Sequence, residues 1–278
     1  MTSRLERSRA LRWLCTLAMV AALVVLLFPI YAVIVGSFES TETLFSGTYY
    51  WLPHGATLDN FRTVIQAQSG NVLTSLIVGV GTAVLALVVA VPAAYALSKY
   101  RLRFTVIVVS SLLICQIVPS IVLATSLFII FHWIHLVNTY PGLIIADGTY
   151  AIPFSILVLR AFFFSLPNEV IHAARVDGAS EWQTFLLIVV PLARSAVITV
   201  AVFAFLNGWG DFIFALTVLN GATIVPITLG IYTYLGNYST DWGAVMASAA
   251  FAMVPAAVML VIAQRYIASG LTAGSVVG

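Results

Sequence analysis

PNEVIHAARVDGASEWQTFLLIVVP, Pro167 to Pro191, is a polar island that carries Glu169, His172, Arg175, Asp177 and Glu181 between two apolar runs of membrane length. Outward from it, the chain is 62% hydrophobic and 8% charged over 278 residues. A soluble domain has about 25% charged residues. Lipid is therefore the solvent for most of the chain, and this island is the part that meets water and a partner. A helix rising about 1.5 Å per residue crosses a core of about 30 Å in ~20 residues, so there is room for about six spans and no separate soluble domain.

The spans are expected near 13–36, 71–97, 104–131, 143–165, 195–219 and 243–267, with the polar island as the loop 167–191 in a single transmembrane domain over 1–278. The runs are continuous and not alternating, which favours helices over barrel strands. The expected fold class is an all-α membrane protein. A basic N-terminus before an apolar run is also the pattern of a signal peptide, but Leu14 to Gly36 exceeds its 7–15-residue apolar core.

Of the 12 Lys and Arg residues, only Arg62 falls on the far side of that arrangement. Arg4, Arg7, Arg9, Arg12, Lys99, Arg101, Arg103, Arg160, Arg175, Arg194 and Arg265 share one side. Positive charge marks the inner face, so both termini and the loop 167–191 are expected in the cytoplasm of a multi-pass cell-membrane protein. The loops 37–70, 132–142 and 220–242 then face outward. In the first of these, Tyr49, Tyr50 and Trp51 read as interface aromatics, and Thr57 with Asp59 as the start of a short surface helix, Leu58 to Gln68.

Within the island, Pro167 suits a first helical turn and Glu169 the positive end of the helix dipole. Asp177-Gly178 supplies a turn, which ends one helix near Val176. Ser180 followed by Gln183 is a capping box, so a second helix is expected to run from there to Pro191. Val170, Ala173 and Ala174 are small enough to let another protein approach the backbone. An ordinary surface loop bridging two spans has the same composition.

The string Ala-Ala-Arg-Val-Asp-Gly at 173–178, nine residues, then Ile-Val-Val-Pro at 188–191 resembles the E-A-A loop of ABC importer permeases. The tail Gly270, Leu271, Thr272, Ala273, Gly274 and Gly278 resembles their carbohydrate-importer branch, which includes the smaller maltose-transporter permease. Thr57-Leu58-Asp59-Asn60-Phe61 and Trp209-Gly210-Asp211-Phe212 are similar to that branch as well.

The resemblance implies a type I importer fold in which the loop is a cytoplasmic coupling hairpin. Glu169, His172, Ala173, Ala174, Asp177, Gly178, Ile188 and Pro191 are then its contacts to an ATPase subunit. It further implies an ATPase dimer, a second permease subunit, and an extracytoplasmic binding protein that delivers a sugar or similar polyhydroxylated solute. Three positions depart from the pattern. His172 stands where the family has Glu, Val190 where it has Leu, and Val277 where it often has Lys. Neutral His offers one donor and one acceptor in place of a charge, which leaves Glu169 or an altered ATPase to compensate.

A P-loop needs Gly-Lys-Ser/Thr, and the chain's one lysine lies in Ser98-Lys99-Tyr100. No cofactor is expected on this chain. ATP and Mg belong to the partner ATPase, the chain is not itself an enzyme, and no nucleic-acid partner is expected.

Among polar residues in spans, Asp211 carries an insertion cost of ~2.5–3.5 kcal/mol and is expected to face an interior, a partner or a water-filled path. Asn207 lies one turn before it, and Gln116 and Tyr150 are further candidates. Two readings stay open for these four: lining a translocation path, or hydrogen-bonding across an interface with a second permease. His132 and His135 lack a third metal ligand nearby other than Asp147, and Cys15 and Cys115 have no metal or redox spacing. An autonomous secondary transporter or channel is the alternative class, and the lack of a clear inverted repeat counts against it.

Overall fold

The computed structural model describes residues 2–46, 51–100, 103–221, 224–235 and 240–273, with side chains undescribed at 2–10, 45, 265 and 267–273. Tyr49, Tyr50, Arg101, Gly274, Val277 and Gly278 lie outside the described residues, as do the side chains of Arg4, Arg7, Arg9, Arg265, Leu271 and Thr272.

Apolar composition without alternation produces helices throughout. They are α1 (Thr2–Ser37), α2 (Thr41–Phe45), α3 (Asp59–Lys99), α4 (Thr105–Cys115), α5 (Ser120–Trp133), α6 (Tyr140–Ser165) and α7 (Asn168–Val176). After α8 (Glu181–Thr184) and a π-helical turn (Phe185–Val189) come α9 (Val190–Leu192), α10 (Arg194–Gly210), α11 (Ile213–Val218), α12 (Ile227–Tyr232) and α13 (Trp242–Ala273). Pro29, Pro92, Pro153 and Pro255 sit inside long helices. Membrane helices accept this because neighbouring groups re-satisfy the freed carbonyls.

Among the described residues, four helices are long and apolar enough to cross a membrane: Leu11–Ser37, Asp59–Lys99, Tyr140–Ser165 and Trp242–Gln264. Two bent pairs bring the number to six if each is one span. Thr105–Cys115 meets Ser120–Trp133 at 101°, and Glu181–Leu192 meets Arg194–Gly210 at 78°. The chain is thus a multi-pass helical membrane protein.

Four elements differ from the sequence expectation. The run 104–131 is not one straight helix: Pro119 precedes α5 with extended backbone, and its ring disfavours helix at Val118. The run 195–219 breaks after Gly210, where Asp211 is extended (φ −65°, ψ 136°). The short outer helix Leu58–Gln68 is instead the beginning of α3, which continues through Gly70 without a stop. The second hairpin helix, expected to run evenly to Pro191, keeps only one α-turn before the π-helical segment.

By internal contacts the chain separates into two compact units, residues 1–67 with 231–251 and residues 68–230 with 252–278. In the first, Val64, Ala244 and Ala247 form a small core, and Asn60 donates to the carbonyls of Ser37 (3.2 Å) and Glu39 (2.8 Å). Thr41 donates to the Asp241 carboxylate at 2.7 Å.

The second unit is built on α3, α6 and α10. Its largest core joins Ala90, Val91, Ala94 and Tyr95 of α3 to Ile156, Leu159 and Phe163 of α6 and Val200 of α10. Close approach here depends on small residues, since lipid gives helices no hydrophobic drive to associate. A Cβ added at Gly208 of α10 would stand 2.8 Å from Thr82 Oγ1 of α3.

Candidate functional site

The island 167–191 folds as a helical hairpin, and its local chemistry explains each part. Asn168–Val176 forms α7, with Glu169 in the first turn and Arg175 in the last, both favourable to the helix dipole. Gly178 takes φ +86°, which an L side chain rarely adopts, and this reverses the chain. The expected capping box is present: Gln183 N donates to Ser180 Oγ at 3.3 Å, and Ser180 N donates to Gln183 Oε1 at 2.8 Å.

Helical period divides α7 into two faces. Ile171 and Ala174 are buried, and Ile171 joins Phe185 and Val189 in the core formed by α3, α6 and α10. Ala174 was expected on the contact surface for a partner. It lies underneath, one turn after Ile171, and has no free surface to offer. Glu169, Val170, His172, Ala173, Val176, Asp177 and Gly178 form the exposed edge, with Val176 87% exposed. At the far end of the hairpin Ile188 is half-buried and Pro191 exposed.

Three residues that sequence reasoning did not select tie the hairpin to the end of α3. Tyr100 donates to Glu181 Oε2 at 2.7 Å, and Arg175 donates to the same oxygen at 2.9 Å while standing 2.8 Å from Oε1. The hydrogen bond to Glu181 pushes the Tyr100 hydroxyl up to about 12. In turn, the bonds from Tyr100 and then Arg175 hold the Glu181 carboxyl below its usual range. Lys99 adds a second tie through Leu166 O (2.6 Å) and Asn168 Oδ1 (2.9 Å). Pro92, Tyr95, Tyr100, Glu181, Trp182 and Phe185 line a groove of about 160 Å³ beside this link. In sequence, Glu181 is three residues past the turn glycine; nothing local marks its partner as Tyr100, 81 residues away.

The four polar candidates within the spans gather around the two helix breaks. Gln116 caps the end of α4 and donates to Tyr150 O at 3.5 Å, while the Tyr150 hydroxyl donates to Val118 O across the α4–α5 break. Tyr150 also faces Phe214 of α11 at 6.2 Å between ring centres. Asp211 turns its carboxylate onto α11, accepting from Phe214 N (3.2 Å) and Ala215 N (2.8 Å), and so starts that helix. Its charge is spent on capping within this chain. Asn207 is half-buried one turn earlier. Gly270, Leu271 and Thr272 belong to the last turns of α13, and Gly274 lies outside the described residues.

One acid in a span went unweighted in the sequence. Asp147 of α6 is fully buried, and the insertion-cost argument made for Asp211 applies to it equally.

A bundle of membrane-length helices and two bent helix pairs, with a capped hairpin leading into the second pair, defines a polytopic membrane permease. This chain belongs to the family described as "Binding-protein-dependent transport system inner membrane component", whose model matches residues 86–273. It is a transport component and not an enzyme. Among its relatives, the trehalose transport system permease protein SugB of Mycobacterium tuberculosis is 33% identical over 91% of this chain and 93% of its own length. The arabinooligosaccharides transport system permease protein AraQ of Halalkalibacterium halodurans is 30% identical over 98% of this chain and 99% of its own.

Among solved structures, a chain of a bacterial ABC transporter that imports the acidic polysaccharide alginate superposes with a TM-score of 0.79. It is 19% identical, covering 93% of this chain and 97% of that one. A chain of the MetNI methionine ABC transporter gives a TM-score of 0.63 at 15% identity, over 75% of this chain and 98% of that one. These two likenesses concern the fold.

Proposed function

We propose that this chain is the membrane-spanning subunit of an ATP-driven ABC importer for a sugar or related polyhydroxylated solute, received from an extracytoplasmic binding protein. The names of SugB and AraQ support the solute class. The observation that carries the coupling role is the division of the hairpin into a face locked into the bundle by Ile171, Phe185 and Val189 and an edge left open at Glu169, His172, Ala173, Asp177 and Gly178. A lever needs both a rigid attachment and a free contact surface.

The free edge meets the ATPase subunit, one of a pair that binds ATP and Mg. Closure of the ATPase dimer moves the hairpin, and the attached α3, α6 and α10 move with it as one packed body. Both termini and the hairpin lie in the cytoplasm, on the side that holds eleven of the 12 basic residues. A second permease subunit completes the path. Gln116, Tyr150 and Asn207 are the polar groups placed to line that path or its interface. Asp211 serves it indirectly, by fixing the break between α10 and α11.

The test is purification of the tagged chain from its own membranes in mild detergent. A P-loop ATPase and a second six-span permease are expected to co-purify, and sugar delivered by the associated binding protein is expected to stimulate ATP hydrolysis. A chain that transports solute after reconstitution alone, without an ATPase, would falsify this reading.

A further inference from the structure

Helices α3, α6 and α10 enclose an acid whose charge nothing balances. Asp147 is 0% exposed, and neither carboxylate oxygen has a hydrogen-bond partner among the described residues. Thr82 of α3 is equally buried, and its hydroxyl is likewise without a partner. Thr82 and Asp147 lie between two close approaches of α3 to α6: a Cβ added at Gly81 would stand 2.4 Å from Ile144 Cδ1, and one added at Gly148 would stand 3.1 Å from Leu85 Cδ2. Three orphan oxygens therefore share one enclosed region.

The cations of the helices packed on α6 lie far along them: Lys99, about 25 Å past Thr82 on α3, bonds Leu166 O and Asn168 Oδ1, and Arg194 opens α10 about 20 Å before Asn207. Asp211, the acid at the end of α10, has its own oxygens committed to backbone N–H groups of α11. Helix α4 offers only the exposed Cys115, and α5 only His132 in its last turn. Arg160, on α6 itself, bonds Leu97 O and stands about 20 Å farther along the helix. Around the acid, Ala86, Ala151 and Ala204 form a small-residue core. An unpaired carboxylate in such surroundings carries a desolvation penalty that no contact among the described residues offsets.

What removes the penalty is a positive charge bound at the carboxylate. Divalent ions favour sites with several acidic ligands, and among the described residues no group of three or more His, Cys, Asp or Glu is arranged for a metal. We propose that Asp147 and Thr82 form a buried site for one monovalent cation, a proton or Na⁺, held in the seam of α3, α6 and α10. As an acid, Asp147 donates to Thr82 Oγ1. As a salt, its two oxygens and the hydroxyl oxygen ligate the ion. The site does not depend on which solute is transported.

Thermal unfolding and infrared spectra of the purified transporter distinguish the two occupants. If Na⁺ is bound, replacing NaCl by choline chloride at constant ionic strength lowers the wild-type midpoint by several degrees and leaves Asp147→Asn unchanged. If a proton is bound, the midpoint ignores the salt, and the wild-type minus Asp147→Asn difference spectrum contains a carboxylic-acid carbonyl band. Should Asp147→Asn fail to accumulate, Thr82→Val serves instead. Loss of its hydroxyl is expected to shift the acid band or weaken the sodium response, and a spectrum and sodium response both unchanged in that variant would contradict the site. An ionised carboxylate signature together with no sodium effect overturns the proposal outright.

Discussion

Gly178 has open space around it, with no atom within 4 Å of an added Cβ, yet its backbone sits at φ +86°. A side chain there meets backbone strain without any clash, and the strain of about 1–2 kcal/mol is smallest for Asn and largest for β-branched residues. Gly178→Asn is therefore expected to retain coupling, while Gly178→Val hydrolyses ATP with little uptake and still reaches the membrane. The ratio of ATP consumed to solute accumulated in proteoliposomes checks this; equal ratios in both variants would remove the turn from the coupling mechanism. Glu181 makes a second residue-scale prediction. Its folded carboxyl is held below the usual range by Tyr100 and Arg175. The stability it contributes is thus complete above the ordinary carboxylate range and lost as pH falls through the depressed value. Amide-exchange protection of the hairpin, compared at matched pH between wild type and Glu181→Gln, is expected to differ at neutral pH and to converge in acid. A difference that persists in acid would show that the link is not electrostatic.

At the scale of elements, the π-helical turn Phe185–Val189 is the joint between the hairpin and α10. π-Helical turns are rare and hold one residue more than α-helix needs. Phe185 and Val189 are buried while Leu186 and Leu187 face outward, so the turn keeps both anchors in the core ahead of the 78° bend. Deleting Leu187 removes that extra residue and shortens the spacing of the anchors Phe185 and Val189 from four residues to three, so the two no longer enter the core in their present register. Uptake is expected to fall to background with membrane levels preserved, as quantitative blotting and transport assays would show; normal uptake would mean that the turn carries no mechanical role. The sequence made the hairpin legible because its signals are local: Pro167, Asp177-Gly178 and the Ser180–Gln183 pair act within three or four residues. It hid the π-helical turn, since Phe-Leu-Leu-Ile-Val is equally good α-helix and tertiary anchoring decides the register. The break at Pro119 was visible in principle through its ring, but the apolar run on both sides masked it. Likewise Asp211 was legible as costly in lipid, and its capping of α11 was not, because a helix of six residues leaves no periodic signal.

For the molecule as a whole, the sharpest consequence concerns which way it sits in the bilayer. Orientation follows the sum of Lys and Arg near the spans and not any one of them. In the proposed topology eleven of the 12 basic residues share the side of the hairpin, and Arg62 alone opposes them. Its guanidinium pairs with Asp59 at 3.4 Å on an exposed surface, an interaction worth little. Arg62→Gln is therefore expected to leave the topology unchanged. Both native cysteines are exposed and must first be replaced by Ala. Single reporters at Glu42→Cys, in α2, and Asp177→Cys, in the hairpin turn, then read the two faces. A membrane-impermeant maleimide added to intact cells should label the first and reach the second only after lysis, with or without Arg62. Labelling of Asp177→Cys in intact cells would place the hairpin on the outer face, where no ATPase could dock, and the coupling role would fall with the orientation.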